Sequence, residues 1–152
     1  MTLITAGSPV PSFTLKTEER QDFTQDDLQG ETTVLVFFPF AFSDVCTDQL
    51  TQYEAKLDEL REKGMTKIYG VSTDPIPSQT AFAFQLDITI PLLSDFEPKG
   101  AAAKAFGAYF EPAGMTNRAL VIVGPDGIVQ YSHLAANPGE LPPVELLLDN
   151  LN

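Results

Sequence analysis

The chain has no tryptophan, one histidine and one cysteine among its 152 residues, and its 9 basic residues face 21 acidic ones. The lone cysteine, Cys46, excludes an intrachain disulfide, a CxxC redox pair and a cysteine-rich zinc site. Whatever chemistry Cys46 performs must proceed without a second thiol from its own chain. A formal net charge of −12 argues against nucleic acid or an anionic membrane as partner, because binding phosphate needs Lys and Arg to displace counterions. Long apolar runs are also missing. Met1 to Phe13 has neither the basic start nor the apolar stretch of a signal peptide, and no later segment is long enough to span a bilayer. The expectation is a cytoplasmic protein folding as one domain over residues 1–152, with no cofactor and no metal.

What is present is an alternation of strand and helix patterns. Ser12 to Lys16 and Gln21 to Thr24 read as an N-terminal hairpin, and Thr33 to Phe38 is a continuous β-branched and aromatic run, as in a strand buried on both faces. Leu50, Tyr53, Leu57 and Leu60 recur at steps of three and four, predicting a helix from about Asp44 to Lys63 with Gly64 as its stop. Strands follow at Lys67 to Ser72 and Ile90 to Leu93, with helices at Pro77 to Leu86 and Ala101 to Phe106. Ala119 to Val123 and Ile128 to Ser132 form a hairpin across Gly124 to Gly127, and a last helix runs from about Pro142 to Leu151. This order gives an α/β fold with a central mixed sheet and helices on both faces.

Cys46 extends the helical stripe backwards at a step of four from Leu50, which puts the thiol on the core-facing side of the first turn. A lone cysteine in such a stripe can be a packed small hydrophobe. Its place in the first turn argues otherwise, since free backbone N–H groups and the positive end of the helix dipole stabilise a thiolate there. Ionisation alone does not make a fast nucleophile, because nucleophilicity falls as a thiol becomes more acidic. Donors must therefore meet the charge that develops on the departing oxygen. Candidates are Ser43, three residues upstream, the backbone N–H groups of Val45 and Cys46, and an arginine folded over them.

The segment Phe38-Pro39-Phe40-Ala41-Phe42-Ser43-Asp44-Val45-Cys46 resembles the peroxiredoxin signature: proline, three residues, threonine or serine, two residues, cysteine. Phe96 to Leu120, including Gly100, Phe106-Gly107, Gly114 and Asn117-Arg118-Ala119, resembles the one-cysteine branch of that family, the alkyl hydroperoxide reductase E type. The resemblance implies a thioredoxin-like fold and a thiol-dependent peroxidase. It assigns Cys46 as the peroxidatic nucleophile and the Ser43 hydroxyl as donor to the peroxide. Arg118 would hold thiolate and peroxide, and Pro39 would limit water. It also implies hydrogen peroxide or organic hydroperoxide as substrate, an external thiol reductant (thioredoxin-like, glutaredoxin-like or a low-molecular-weight thiol), and a homodimer packed through Phe40 and Phe42.

Without the motif, Arg118 at the mouth of a strand reads as a solvated edge charge and Pro39 as a strand terminator. Two departures from the family pattern stand out. Ser43 replaces the usual threonine and loses the methyl that stiffens χ1. Gln49 stands where many members carry glutamate; it cannot pair ionically with an arginine and is left out of the expected catalytic set. His133 is expected in a surface or packing role. A peroxide sensor or redox-regulated binding module is the alternative, although no basic groove or effector tail accompanies Cys46. A thioredoxin-type disulfide oxidoreductase would need a second cysteine, and a proline where Asn117 stands.

Overall fold

A computed structural model describes residues 2–151; Met1 and Asn152, at the two ends of the expected domain, lie outside. Every residue of Thr33–Phe37 (β3) is buried, as its unbroken apolar run requires. Val34 and Val36 face one apolar cluster with Cys46, Leu50, Tyr53, Leu57 and Leu60, while Leu35 and Phe37 face another with Phe13, Leu15, Phe23 and Phe106. Alternate residues of one strand thus divide the core into two layers.

The N-terminal hairpin forms as Thr14–Lys16 (β1) and Asp22–Thr24 (β2), followed by a short 3₁₀ turn at Gln25–Leu28. Lys67–Ser72 (β4) lies parallel to β3, and Leu92–Ser94 (β5) lies parallel to β4. Ala119–Val123 (β8) runs antiparallel to β3 and continues into Val129–Leu134 (β9). The resulting seven-stranded sheet has the order β2-β1-β5-β4-β3-β8-β9. Tyr109–Phe110 (β6) and Met115–Thr116 (β7) make a small separate hairpin that the sequence pattern did not anticipate.

The predicted helix from Asp44 to Lys63 is two helices, Asp44–Glu54 (α1) and Leu57–Glu62 (α2). Between them the Lys56 N–H bonds the Tyr53 carbonyl at 3.0 Å, a tightened i→i−3 turn. The apolar stripe explains the break. Cys46, Leu50, Tyr53, Leu57 and Leu60 repeat at a mean of about 3.5 residues, and a straight α-helix drifts about 20° from that repeat per heptad. One 3₁₀ step winds about 20° further than an α step, returning Leu57 and Leu60 to the core.

Ile76–Leu86 (α3) and Ala101–Phe106 (α4) match expectation closely. Two other boundaries shift for a common reason, the restrictions proline imposes. β5 begins only after Pro91, which has no N–H for the ladder. The last helix is shorter than predicted, Glu145–Asn150 (α5); Pro143 disfavours helical geometry at Pro142, the expected start. Helices α1 to α3 and α5 contribute to the cluster around Cys46, and α4 to the opposite one.

Candidate active site

The site is built where β3 gives way to α1. Phe38 still pairs its N–H with the Val71 carbonyl at 2.9 Å, and buried Pro39, with no N–H to donate, ends the ladder. The chain then turns through a loop held from β4. Asp74 Oδ2 accepts the Ala41 N–H at 2.7 Å and the Ser72 hydroxyl at 2.6 Å. Phe42 is held at φ 69°, a left-handed conformation that is strained for a bulky side chain, and its ring packs on Phe82 with centroids 5.1 Å apart. Ser43 follows as the N-cap of α1, its hydroxyl oxygen accepting the Cys46 N–H at 3.3 Å. Cys46 accordingly sits in the first turn, with none of its surface exposed.

Arg118 reaches this thiol from the other side of the sheet pairing. Phe37 is registered against Ala119, so the residue before β8 lies beside the loop that leaves β3. Arg118 is 1% exposed, which excludes the solvated edge charge its sequence position alone suggests. Its Nη2 donates to Cys46 Sγ at 3.3 Å, its Nη1 to Gln49 Oε1 at 2.7 Å, and its Nε to the Pro138 carbonyl at 2.9 Å. Guanidinium has more N–H donors than these contacts use, so some are left for a substrate.

Gln49, omitted from the expected catalytic set, is fully buried and holds Arg118 directly. The inability to form an ion pair was the wrong criterion, because a neutral amide oxygen accepts from a guanidinium without a charge of its own. Its place one turn after Cys46, on the same helix face, was the available signal. On its other side, Gln49 Nε2 donates to the Tyr53 hydroxyl oxygen at 3.2 Å, and that hydroxyl donates to the Pro142 carbonyl at 2.6 Å. Burial pushes the Tyr53 phenol up to about 12, partly opposed by Gln49 and Arg118.

Ser43 is partly buried at the helix start, Pro39 is buried in the preceding loop, and Phe40 and Phe42 are exposed by 45% and 49%. His133, on β9 opposite Leu120, makes no hydrogen bond to Cys46. Among the described residues, no group of three or more His, Cys, Asp or Glu is placed to hold a metal ion.

A thiol in a capped first helical turn, touching a buried arginine at one end of a mixed sheet, defines a class, and comparison with known proteins agrees with it. Residues 6–132 match the AhpC/TSA family, and the chain belongs to that family. It is similar to alkyl hydroperoxide reductase E of Mycobacterium tuberculosis, with 35% identity over 150 residues, covering 98% of this chain and 97% of the relative. Alkyl hydroperoxide reductase C of Staphylococcus aureus is 31% identical over 130 residues, covering 83% of this chain and 67% of the relative. Among solved structures, Enterococcus faecalis AhpC is 27% identical with a TM-score of 0.83, covering 99% of this chain and 91% of that one. Reduced Prx3 of Vibrio vulnificus in complex with hydrogen peroxide superposes with a TM-score of 0.89 over 99% and 100% of the two chains; its 24% identity speaks to the fold alone. The fold is thioredoxin-like, as the resemblance implied.

Proposed function

We propose that Cys46 reduces hydrogen peroxide and organic hydroperoxides, with Arg118, Ser43 and Pro39 serving the step. Membership of the family makes the chain a thiol-dependent peroxidase, and its single cysteine makes it of the one-cysteine type. The observation that carries the residue assignment is the contact of Arg118 Nη2 with Cys46 Sγ, 3.3 Å, at the N-terminal turn of α1.

The thiolate attacks the terminal peroxide oxygen, the O–O bond breaks, and Cys46 becomes a sulfenic acid while the second oxygen leaves as hydroxide or alkoxide and takes a proton from solvent to become water or an alcohol. Arg118 offers its remaining N–H donors to the oxygen on which charge develops, and the Ser43 hydroxyl hydrogen, not used by its cap, points a further donor at the peroxide. Pro39 keeps the strand-to-loop junction dry. An external thiol then condenses with the sulfenic acid, releasing water, and a second external thiol releases Cys46 from the mixed disulfide. A homodimer packed through exposed Phe40 and Phe42 and a cytoplasmic location belong to the same reading.

The test is stopped-flow oxidation of reduced protein by hydrogen peroxide and by organic hydroperoxides, followed by turnover with thioredoxin-like, glutaredoxin-like and low-molecular-weight thiols. Fast oxidation with turnover on at least one thiol supports the reading; oxidation no faster than that of free cysteine overturns it. Sedimentation of wild type and Phe42→Ser tests the dimer.

A further inference from the structure

Gln49 presents two chemically opposite ends, and only one of them can face a guanidinium. Both ends lie in the core, with no solvent to satisfy whichever is left over. The Tyr53 hydroxyl decides between them. Its single hydrogen is committed to the Pro142 carbonyl at 2.6 Å, so toward Gln49 it offers only its oxygen, and only the amide nitrogen can meet it. Nε2 is thereby held toward Tyr53 and Oε1 toward Arg118 Nη1 at 2.7 Å. We propose that Tyr53 is a positioning residue for the peroxidase step, setting the orientation of the Gln49 amide and through it the aim of Arg118 at Cys46. This deepens the proposed function and rests on it.

The polarity of the relay runs one way: Arg118 donates to Gln49, Gln49 donates to Tyr53, and Tyr53 donates to Pro142. Reversing any member would put two donors or two acceptors face to face. Burial keeps the phenol protonated through the neutral range, so the direction of the relay does not change there. Removing the hydroxyl strands the amide nitrogen in the core, where an unpartnered buried donor costs as much as a hydrogen bond to a charged group gains. The amide then turns or shifts to relieve the nitrogen, withdrawing Oε1 from Arg118. A carboxylate in the same place has no nitrogen to strand and would hold Arg118 with or without the hydroxyl.

A double-mutant comparison separates this role from a merely structural one. Stopped-flow rate constants for hydrogen peroxide are measured for wild type, Tyr53→Phe, Gln49→Glu and the double variant carrying both changes, with thermal melts alongside and Arg118→Ala as reference. Tyr53→Phe is expected to lose about tenfold in rate beside the native Gln49, since small misplacements of a catalytic group cost up to about 100-fold. In the Gln49→Glu background the same change should cost less than about twofold, although in each background a buried acceptor, the Pro142 carbonyl or the carboxylate, loses the Tyr53 donor and melting falls in both. Equal rate losses in the two backgrounds, or none in either, overturn the role of Tyr53. If Arg118→Ala itself oxidises as fast as wild type, the failure lies in the assignment of Arg118 instead.

Discussion

Arg118 and Cys46 are 72 positions apart in the chain and 3.3 Å apart in the fold. The antiparallel pairing of β3 with β8 accounts for this, because it sets the beginning of one strand beside the end of the other, where α1 starts. A cation beside a thiol in a first helical turn is the arrangement from which the following expectations derive.

Cys46→Ser should abolish peroxide reactivity. One equivalent of peroxide adds one oxygen to wild type by intact mass, trapped by a sulfenate reagent, and adds none to the variant. Excess peroxide should carry wild type on to the sulfinic form, since no second thiol in the chain competes for the sulfenate. Rapid, saturable turnover by the serine variant would sink the assignment.

Arg118→Lys keeps a charge but loses the planar fork that reaches Cys46, Gln49 and Pro138 together. Its peroxide rate constant should fall on the order of 100-fold, as when one preorganised donor is removed. Arg118→Ala should fall at least as far, and its melt should drop because Gln49 Oε1 loses a buried partner. Stopped-flow rates equal to wild type would show that the guanidinium only fills space.

Ser43 should separate rate from stability. As the cap of α1 its loss costs about 1 kcal/mol, whereas loss of a donor to the peroxide costs on the order of 100- to 1,000-fold in rate. Ser43→Ala is therefore expected to melt only slightly lower and to oxidise far more slowly, and Ser43→Thr to react nearly as fast as wild type. An alanine variant with an unchanged rate would reduce Ser43 to a cap.

Asp74→Ala removes the acceptor shared by the Ala41 N–H and the Ser72 hydroxyl. Leaving them unpaired should cost about 1 to 3 kcal/mol. The loop carrying Phe42 and Ser43 should loosen as well, so the peroxide rate should fall with stability. A melt within error of wild type would mean that the loop is held by its packing alone.

Tyr53 gives a pH signature. Its phenol ionises near 10 when unfolded and at about 12 in the fold, so between these values the native state holds a proton that the unfolded chain has released. The contribution is complete below about pH 10 and is lost as pH rises through about 12, up to about 3 kcal/mol in all. Wild-type stability should thus fall more steeply across that window than that of Tyr53→Phe. Parallel curves in chemical denaturation at pH 9 to 11.5 would contradict it.

The sequence was most legible where one rule governed the residue. The apolar run of β3, the first-turn position of Cys46 and the glycine-bounded α4 all depend on local pattern, and each appears where the pattern put it. Gln49 and Tyr53 were harder, because a residue in an apolar stripe gives no sign that its polar end is spoken for. Tyr53 counted as one more core position, although its hydroxyl bonds Pro142 from 89 residues away. The division of the long helix came from a mismatch between the stripe's period and the helix's own, visible in the spacing but resolvable only by packing. Arg118 is the opposite case: local rules made it exposed, and only its place in a motif pointed inward.

The complete enclosure of Cys46 makes the site a filter that acts before any bond is formed. Reactivity usually exposes a thiol to every electrophile within reach, and the more potent the nucleophile the shorter its useful life. Reaching the sulfur requires a local opening, and a small oxidant calls for a smaller one than a bulky alkylating reagent does. Burial thereby slows bulky reagents more than it slows a small peroxide, whatever the intrinsic reactivity of the sulfur.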